Sequence, residues 1–199
     1  MGKIFTIGRQ LGSLGWEIGR KLAIELGIPF YNEELIEMSA NKSGMSADIF
    51  AKFDEKPGSS LLYSLSLGSV PGEMLNQSSN TPLNDTVFSS QLKVITELAE
   101  KGPCVIVGRC SNYILRDFDN VINVFIYADL EDRVNTVCQR DGISRKQAIT
   151  KIKKSDKTRA SYHNFYSNTK WGDSESYDIM LNSSLGIDKI VNILKQLYR

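Results

Sequence analysis

Apolar and polar positions alternate in a way that predicts short strands separated by amphipathic helices. Lys3-Ile4-Phe5-Thr6-Ile7 is a brief, partly β-branched run that stops at Gly8 and predicts a first strand. Ile18, Leu22 and Leu26 then recur at four-residue spacing, which is one helix face, and Gly27 with Pro29 beyond it supplies the stop. Ile28–Tyr31 predicts a short extended piece, and residues 33–40 a second helix. Residues 54–85 are rich in Ser, Gly, Pro and Asn and read as a mobile insert with at most short helices. A helix resumes near Asp85, striped by Val87, Phe88, Leu92, Ile95 and Leu98, and ends at Gly102-Pro103. Val105-Ile106-Val107 and Asn123–Ala128 predict strands covered on both faces, as in a parallel sheet. Helices over 130–140 and 144–165, the second capped by Ser144, precede a last strand at Tyr177–Asn182. Ile187, Ile190, Val191, Leu194 and Leu197 mark a closing helix. Strands alternating with helices predict one doubly wound α/β domain over residues 1–199.

Composition narrows the class. The 199 residues are 41% hydrophobic and 24% charged, which suits a globular domain with a sizeable core. Lys and Arg number 24 against 23 Asp and Glu, a balance that argues against a nucleic acid polymer or a membrane surface as partner. The apolar runs are too short to span a bilayer, and no signal segment precedes the first strand. Cys104, Cys110 and Cys138 form no CxxC pair, so reduced thiols in the cytoplasm are expected. The charge is unevenly distributed: residues 140–159 carry eight basic and two acidic side chains, leaving sixteen against twenty-one elsewhere. Lys146, Lys153 and Lys157 share one helical face, with Ile149 and Ile152 on the other. This segment is either a solvated basic helix or a lid over a compact polyphosphate.

Gly8, Gly12, Gly15 and Gly19 lie between the first strand and its helix, where α/β proteins bind phosphate. Glycines let backbone N–H groups turn onto the oxygens, and the helix N-terminus adds its positive end. The dinucleotide pattern GxGxxG fails because Gln10 stands at its second glycine. The pattern GxxxxGK[ST] fails because Trp16 follows Gly15. From spacing alone, a strand–helix packing turn without a ligand remains open.

Longer motifs are more specific. The run Ile7–Ala23, followed by Leu26-Gly27-Ile28-Pro29-Phe30-Tyr31, resembles the cytidylate kinase-like family, a branch of the P-loop nucleoside monophosphate kinases. Val107-Gly108-Arg109-Cys110 looks like that family's Gly-Arg-Asp motif. Asp156-Lys157-Thr158-Arg159 is similar to its Asp-x-x-Arg stretch, and Tyr177–Ile187 to its final strand-to-helix turn. The resemblance implies a three-layer P-loop fold with five parallel strands, a monophosphate-binding insert (about 41–85) and a helical lid (about 133–170). The implied reaction moves the γ-phosphoryl group of ATP, with Mg²⁺, onto a nucleotide such as CMP or dCMP, mostly by positioning and charge neutralisation. Arg9, Arg109, Arg159 and Asp156 are the implied catalytic set. Gly8, Gly12, Ser13, Gly15, Trp16 and Glu17 would hold the donor phosphates, with Arg133, Arg140 and Arg145 as lid candidates.

Departures from the family pattern keep alternatives open. The loop lysine is replaced by Gly15 or Trp16, where relatives often carry Arg, so Arg9 becomes the loop's own cation. The threonine that usually holds Mg²⁺ is missing, and Glu17 either takes that ion or is an ordinary acid of the first helical turn. Cys110 stands for the family's Asp and reads as a packing residue. Arg109 contacts phosphate or pairs with a carboxylate at a strand end. Asp129 is either a metal-proximal acid or a helix N-cap. His163, the single histidine, is expected in the lid or on the surface. The alternatives are a nucleotide-binding module that has lost catalysis, and a kinase for a non-nucleotide small molecule.

Overall fold

The computed structural model describes residues 2–56 and 83–198, so most of the insert lies outside the described residues. Five strands, β1 (Ile4–Arg9), β2 (Phe30–Tyr31), β3 (Val105–Val107), β4 (Val121–Tyr127) and β5 (Ile179–Asn182), form one sheet in the order β2-β3-β1-β4-β5. All four pairings are parallel, with Phe5 opposite Val105 and Ile122. The predicted three-layer parallel architecture is therefore present.

The strand period of two sorts side chains between two cores. Phe5, Ile7, Val105, Val107, Val124 and Ile126 face α1 (Gly15–Leu26) and α8 (Ile187–Gln196). Ile4 and Ile106 face the opposite way, toward α2 (Glu34–Ser43), α4 (Leu83–Lys101) and α5 (Ser111–Ile114). On that face the buried Thr6 hydroxyl donates to Asn123 Oδ1 of the neighbouring strand at 2.7 Å, so neither polar group is orphaned. A smaller cluster of Ala40, Phe50 and Val87 docks α3 (Ala47–Phe53) beneath α2 and α4.

Several boundaries moved from the sequence reading. α2 runs on to Ser43, stopped by Gly44, and α3 and α5 stood in stretches that had shown no helical stripe. The basic region is two helices, α6 (Leu130–Asp141) and α7 (Arg145–Ser167). Ser144 caps α7 as expected, accepting from the Gln147 N–H while Gln147 Oε1 accepts from the Ser144 N–H at 3.0 Å. Val134 and Val137 of α6 pack against Ala148 and Ile152 of α7. No helix among the described residues is long and apolar enough to cross a membrane.

Because Ile152 is buried in that separate cluster, Ile152→Ala should cost about 2–5 kcal/mol by lost burial and cavity formation. Urea unfolding checks this. A loss under about 1 kcal/mol would mean that α7 is not held by this packing.

Candidate functional site

β1, β3 and β4 end at one edge of the sheet, and the glycine loop turns there. Gly12 has φ +82°, and a Cβ on it would lie 2.7 Å from the Arg133 carbonyl oxygen, so both conformation and space demand glycine. Leu14, also left-handed at φ 60°, swings the chain into α1. Three amides in the loop region are engaged within the protein. Gln10 N–H donates to the Ile126 carbonyl at 3.1 Å, Ser13 N–H to the Gln10 carbonyl at 3.3 Å, and Leu11 N–H to Asp156 Oδ1 at 2.8 Å. The Ser13 hydroxyl is buried, with Gln10 and Ile126 carbonyl oxygens at 2.9 and 3.0 Å, so its side chain is turned away from any ligand. The amides from Leu14 to Glu17 open the helix and meet no intrahelical carbonyl. An anion against this loop would therefore use the 14–17 end rather than the whole of 10–17.

Beside the loop lies a cavity of about 780 Å³. The loop supplies one wall, including Gly12, Gly15, Trp16 and Glu17. Arg9, Arg109, Arg140 and Arg159 also line it. α2, α3 and the turn after α3 supply an acidic wall of Glu33, Glu37, Asp48, Asp54 and Glu55. The structure thus brings Arg9, Arg109 and Arg159 together from the end of β1, the turn after β3 and the middle of α7.

Two adjacent carboxylates hold those arginines. Asp54 takes Arg109 in a fork, with Nε–Oδ1 at 3.2 Å and Nη2–Oδ2 at 3.0 Å, and also accepts from Gln91 Nε2 at 2.7 Å. Gln91 in turn accepts from the Tyr162 hydroxyl at 2.7 Å, which ties α4 to α7 behind the site. Glu55 Oε1 accepts from Arg9 Nη1 at 2.8 Å and from the Arg109 N–H at 3.2 Å, and its Oε2 accepts from Arg159 Nε at 3.4 Å. Burial alone would raise the Glu55 carboxyl. The charges of Arg9, Arg159 and Arg109 outweigh that and hold it well below the usual carboxylate range. Burial and the nearby Arg9 push the Arg159 guanidinium down to about 10, against the pull of Glu55 and Asp156.

Strained backbone sets this geometry. Gly108, Arg109 and Cys110 have φ of 77°, 52° and 58°, and Glu55 has φ 51°. Left-handed non-glycine residues cost on the order of 1–3 kcal/mol each and persist only where surroundings over-determine them. Here the Arg109 N–H on Glu55 and the Arg109 fork on Asp54 supply that determination.

The remaining expected residues divide. Asp156 bridges Arg133 and the Leu11 N–H, so both act on the loop from behind; Arg133 Nε is buried without a partner. Arg140 reaches the cavity while its Nε donates to Asp141 at 2.8 Å. Arg145 does not reach it: the side chain is exposed and pairs with Glu131. Trp16 stacks edge-on against Phe30 and lies under the Arg20 guanidinium, 5.5 Å from its ring centre. Glu17 faces the cavity within the field of Arg140, a placement that suits a single-carboxylate Mg²⁺ ligand. No group of three His, Cys, Asp or Glu side chains among the described residues is placed to cage a metal.

His163 lies on α7, within the expected lid region, but not on the surface. α7 buries it to 3% exposure, with its ring nitrogens 3.2 Å from Asn112 Nδ2 and 3.1 Å from the Ser167 hydroxyl, and burial pushes its pKa down. Cys110 is the packing residue expected, its thiol pushed up to about 12 by burial. Asp129 occupies the N-cap position of α6 without a capping side-chain bond. Asp54 and Glu55 were missed because they close a seven-residue helix at the border of a low-complexity stretch.

Asp54→Ala should strip a 4%-exposed guanidinium of its counterion and cost about 3–5 kcal/mol, measured by chemical unfolding. A second expectation follows from Glu55. Its folded-state pKa is depressed below the ordinary 4.5, so the unfolded chain binds the extra proton. The stability it contributes is full above about pH 4.5 and is lost as pH falls below it. Unfolding free energies between pH 3 and pH 6, on the order of that window, should fall more shallowly with acid in Glu55→Gln than in the wild type. Parallel acid limbs would refute the depressed carboxyl.

Known proteins resemble this chain in sequence and in fold. The model of the cytidylate kinase-like family matches residues 4–185. A cytidylate kinase from Ignicoccus hospitalis is 24% identical over 196 residues, which span 98% of each chain. The crystal structure of an uncharacterized protein from Eubacterium ventriosum superposes with a TM-score of 0.71 at 30% identity, covering 98% of this chain and 96% of that one. Shikimate kinase from Bacteroides thetaiotaomicron shares the fold alone, with a TM-score of 0.57 and 12% identity over 99% and 98% of the two chains. A parallel sheet of this order, a glycine loop at its edge and a family match over nearly the whole chain lead to one conclusion: the chain belongs to the cytidylate kinase-like family, on the fold of the P-loop kinases.

Proposed function

We propose that the chain is a cytoplasmic phosphotransferase that moves the γ-phosphoryl group of ATP, with Mg²⁺, to a small-molecule acceptor, CMP or dCMP being the first candidate. The observation that carries this is the convergence of Arg9, Arg109 and Arg159 on one end of a cavity walled by the glycine loop. Phosphoryl transfer asks for positioned cations and N–H donors rather than a nucleophilic side chain. In this reading the Leu14–Glu17 amides and Arg9 hold the donor phosphates, and Glu17 would hold Mg²⁺, which would supply neutralisation of charge on the transferred group. Gly8, Gly12, Gly15 and Ser13 shape the loop, and Trp16 flanks it. Arg109 and Arg159 bridge donor and acceptor phosphates, and Arg140 neutralises charge from α6. Arg133 and Asp156 position the loop through Leu11, and Arg145 has no part in the cavity.

One observation favours a non-nucleotide acceptor. No arginine occurs between Arg20 and Arg109 in the sequence, and the α2–α3 wall is acidic. Such a wall repels a monophosphate dianion and tolerates a neutral or cationic hydroxyl compound. ATP turnover measured against a panel of nucleoside monophosphates and small alcohols decides between the two acceptors.

Arg9→Ala should lower turnover about ten- to a hundredfold, since a charge-assisted contact to phosphate is worth roughly 1.5–3 kcal/mol. Unchanged steady-state kinetics in Arg9→Ala would remove Arg9 from the donor site. Binding of ATP without turnover of any acceptor, reversed by Trp16→Lys, would instead identify a module that has lost catalysis.

A further inference from the structure

We propose that Glu55 is a built-in anion occupying the phosphate subsite, and that the donor's phosphates bind by displacing it. This rests on reading the cavity as a phosphate-donor site.

Three observations converge on that carboxylate. It collects one donor from each of three elements: Arg9 Nη1 at 2.8 Å, the Arg109 N–H at 3.2 Å and Arg159 Nε at 3.4 Å. A tetrahedral phosphate with several acceptor oxygens uses the same donors and brings more charge to them. Next, Glu55 reaches this place through a left-handed backbone at φ 51°, a conformation that its neighbours must hold. Finally, the carboxylate and Arg9 together fill the space over Gly108. A Cβ there would lie 2.3 Å from Glu55 Oε1 and 2.0 Å from Arg9 Nη1. The carboxylate is thus seated where only a residue without a Cβ leaves room for it.

The consequence is selectivity by charge. Inorganic phosphate gains only the three donors that Glu55 already satisfies, so it displaces a tethered carboxylate poorly. A polyphosphate also engages the Leu14–Glu17 amides at the start of α1, which Glu55 does not touch. Glu55 therefore favours a nucleotide's phosphate chain over free phosphate. It also screens Arg9 from Arg159 until that chain arrives.

Calorimetric titration of the full chain with inorganic phosphate, tripolyphosphate and ATP tests this. In Glu55→Gln, tripolyphosphate should bind tenfold or more tightly than in the wild type, and inorganic phosphate should become measurable. Glu97→Gln, which breaks an exposed pair with Lys42, should match the wild type. Equal or weaker tripolyphosphate binding in Glu55→Gln overturns the proposal, while ATP binding by the wild type in the same experiment leaves the donor-site reading standing. Failure of both proteins to bind ATP overturns both. Should Glu55→Gln not fold, hydrogen exchange on the wild type keeps the question decidable. Saturating tripolyphosphate should speed exchange over residues 51–56 as the carboxylate is released, and unchanged exchange there overturns displacement.

Discussion

Like charges from three separate elements meet at the edge of this sheet, and two adjacent carboxylates make that possible. Arg9, Arg109 and Arg159 could not converge in a partly buried site on their own: Arg9 already helps push Arg159 down to about 10. Asp54 and Glu55 divide the work. Asp54 holds the most deeply buried guanidinium in a fork, and Glu55 lies between the other two. The turn after α3 is consequently the keystone for side chains 46 residues before it and up to 104 residues after it.

α7 is the second organising element, and it works along its length. Ile152 docks on α6, Asp156 fixes the glycine loop through Leu11, Arg159 enters the cavity and Tyr162 reaches Gln91 on α4. Further on, Tyr166 stacks on Phe88 with ring centres 4.0 Å apart and donates to Asp85. A helix tied at so many levels links the loop, the arginines and the helical layer behind them. A shift of α7 would therefore be felt at Leu11 and Glu55 together. The basic surface of the same helix is partly neutralised at its start, where Arg145 pairs with Glu131 and Lys151 with Asp141.

Much of this was legible before any coordinates. The strands were readable because continuous apolar runs such as Val105–Val107 are buried on both faces, and α1 because Ile18 and Leu22 keep helical spacing. The convergence of Arg9, Arg109 and Arg159 could be anticipated from family motifs, but their partners could not. Asp54 and Glu55 carry no periodic signal, and the contacts that make them matter span 46 to 104 residues of sequence. The burial of His163 was hidden for a related reason: a polar residue in a basic helix reads as surface until Asn112 and Ser167 are seen beside it. Ser13 was drawn toward a ligand by its place in the loop, whereas two carbonyl oxygens claim its hydroxyl.

The missing loop lysine acquires a physical meaning in this arrangement. A lysine brings a point charge on a flexible stem to the phosphates from within the loop. Here the corresponding position is Trp16, 41% exposed and sandwiched between Phe30 and Arg20, so the loop itself is poor in charge. Arg9 enters instead from the strand side, below the loop, with its guanidinium at Glu55. A cation in that place cannot serve a bound phosphate and its internal carboxylate at full strength at once. In the proposed donor site, moving the charge from loop to strand end would couple donor binding to the turn after α3, which a lysine in the loop would have left independent. The α2–α3 wall is acidic, with no arginine between Arg20 and Arg109 to offset it. The cavity is thus cationic where Arg9, Arg109 and Arg159 meet and anionic along the α2–α3 wall.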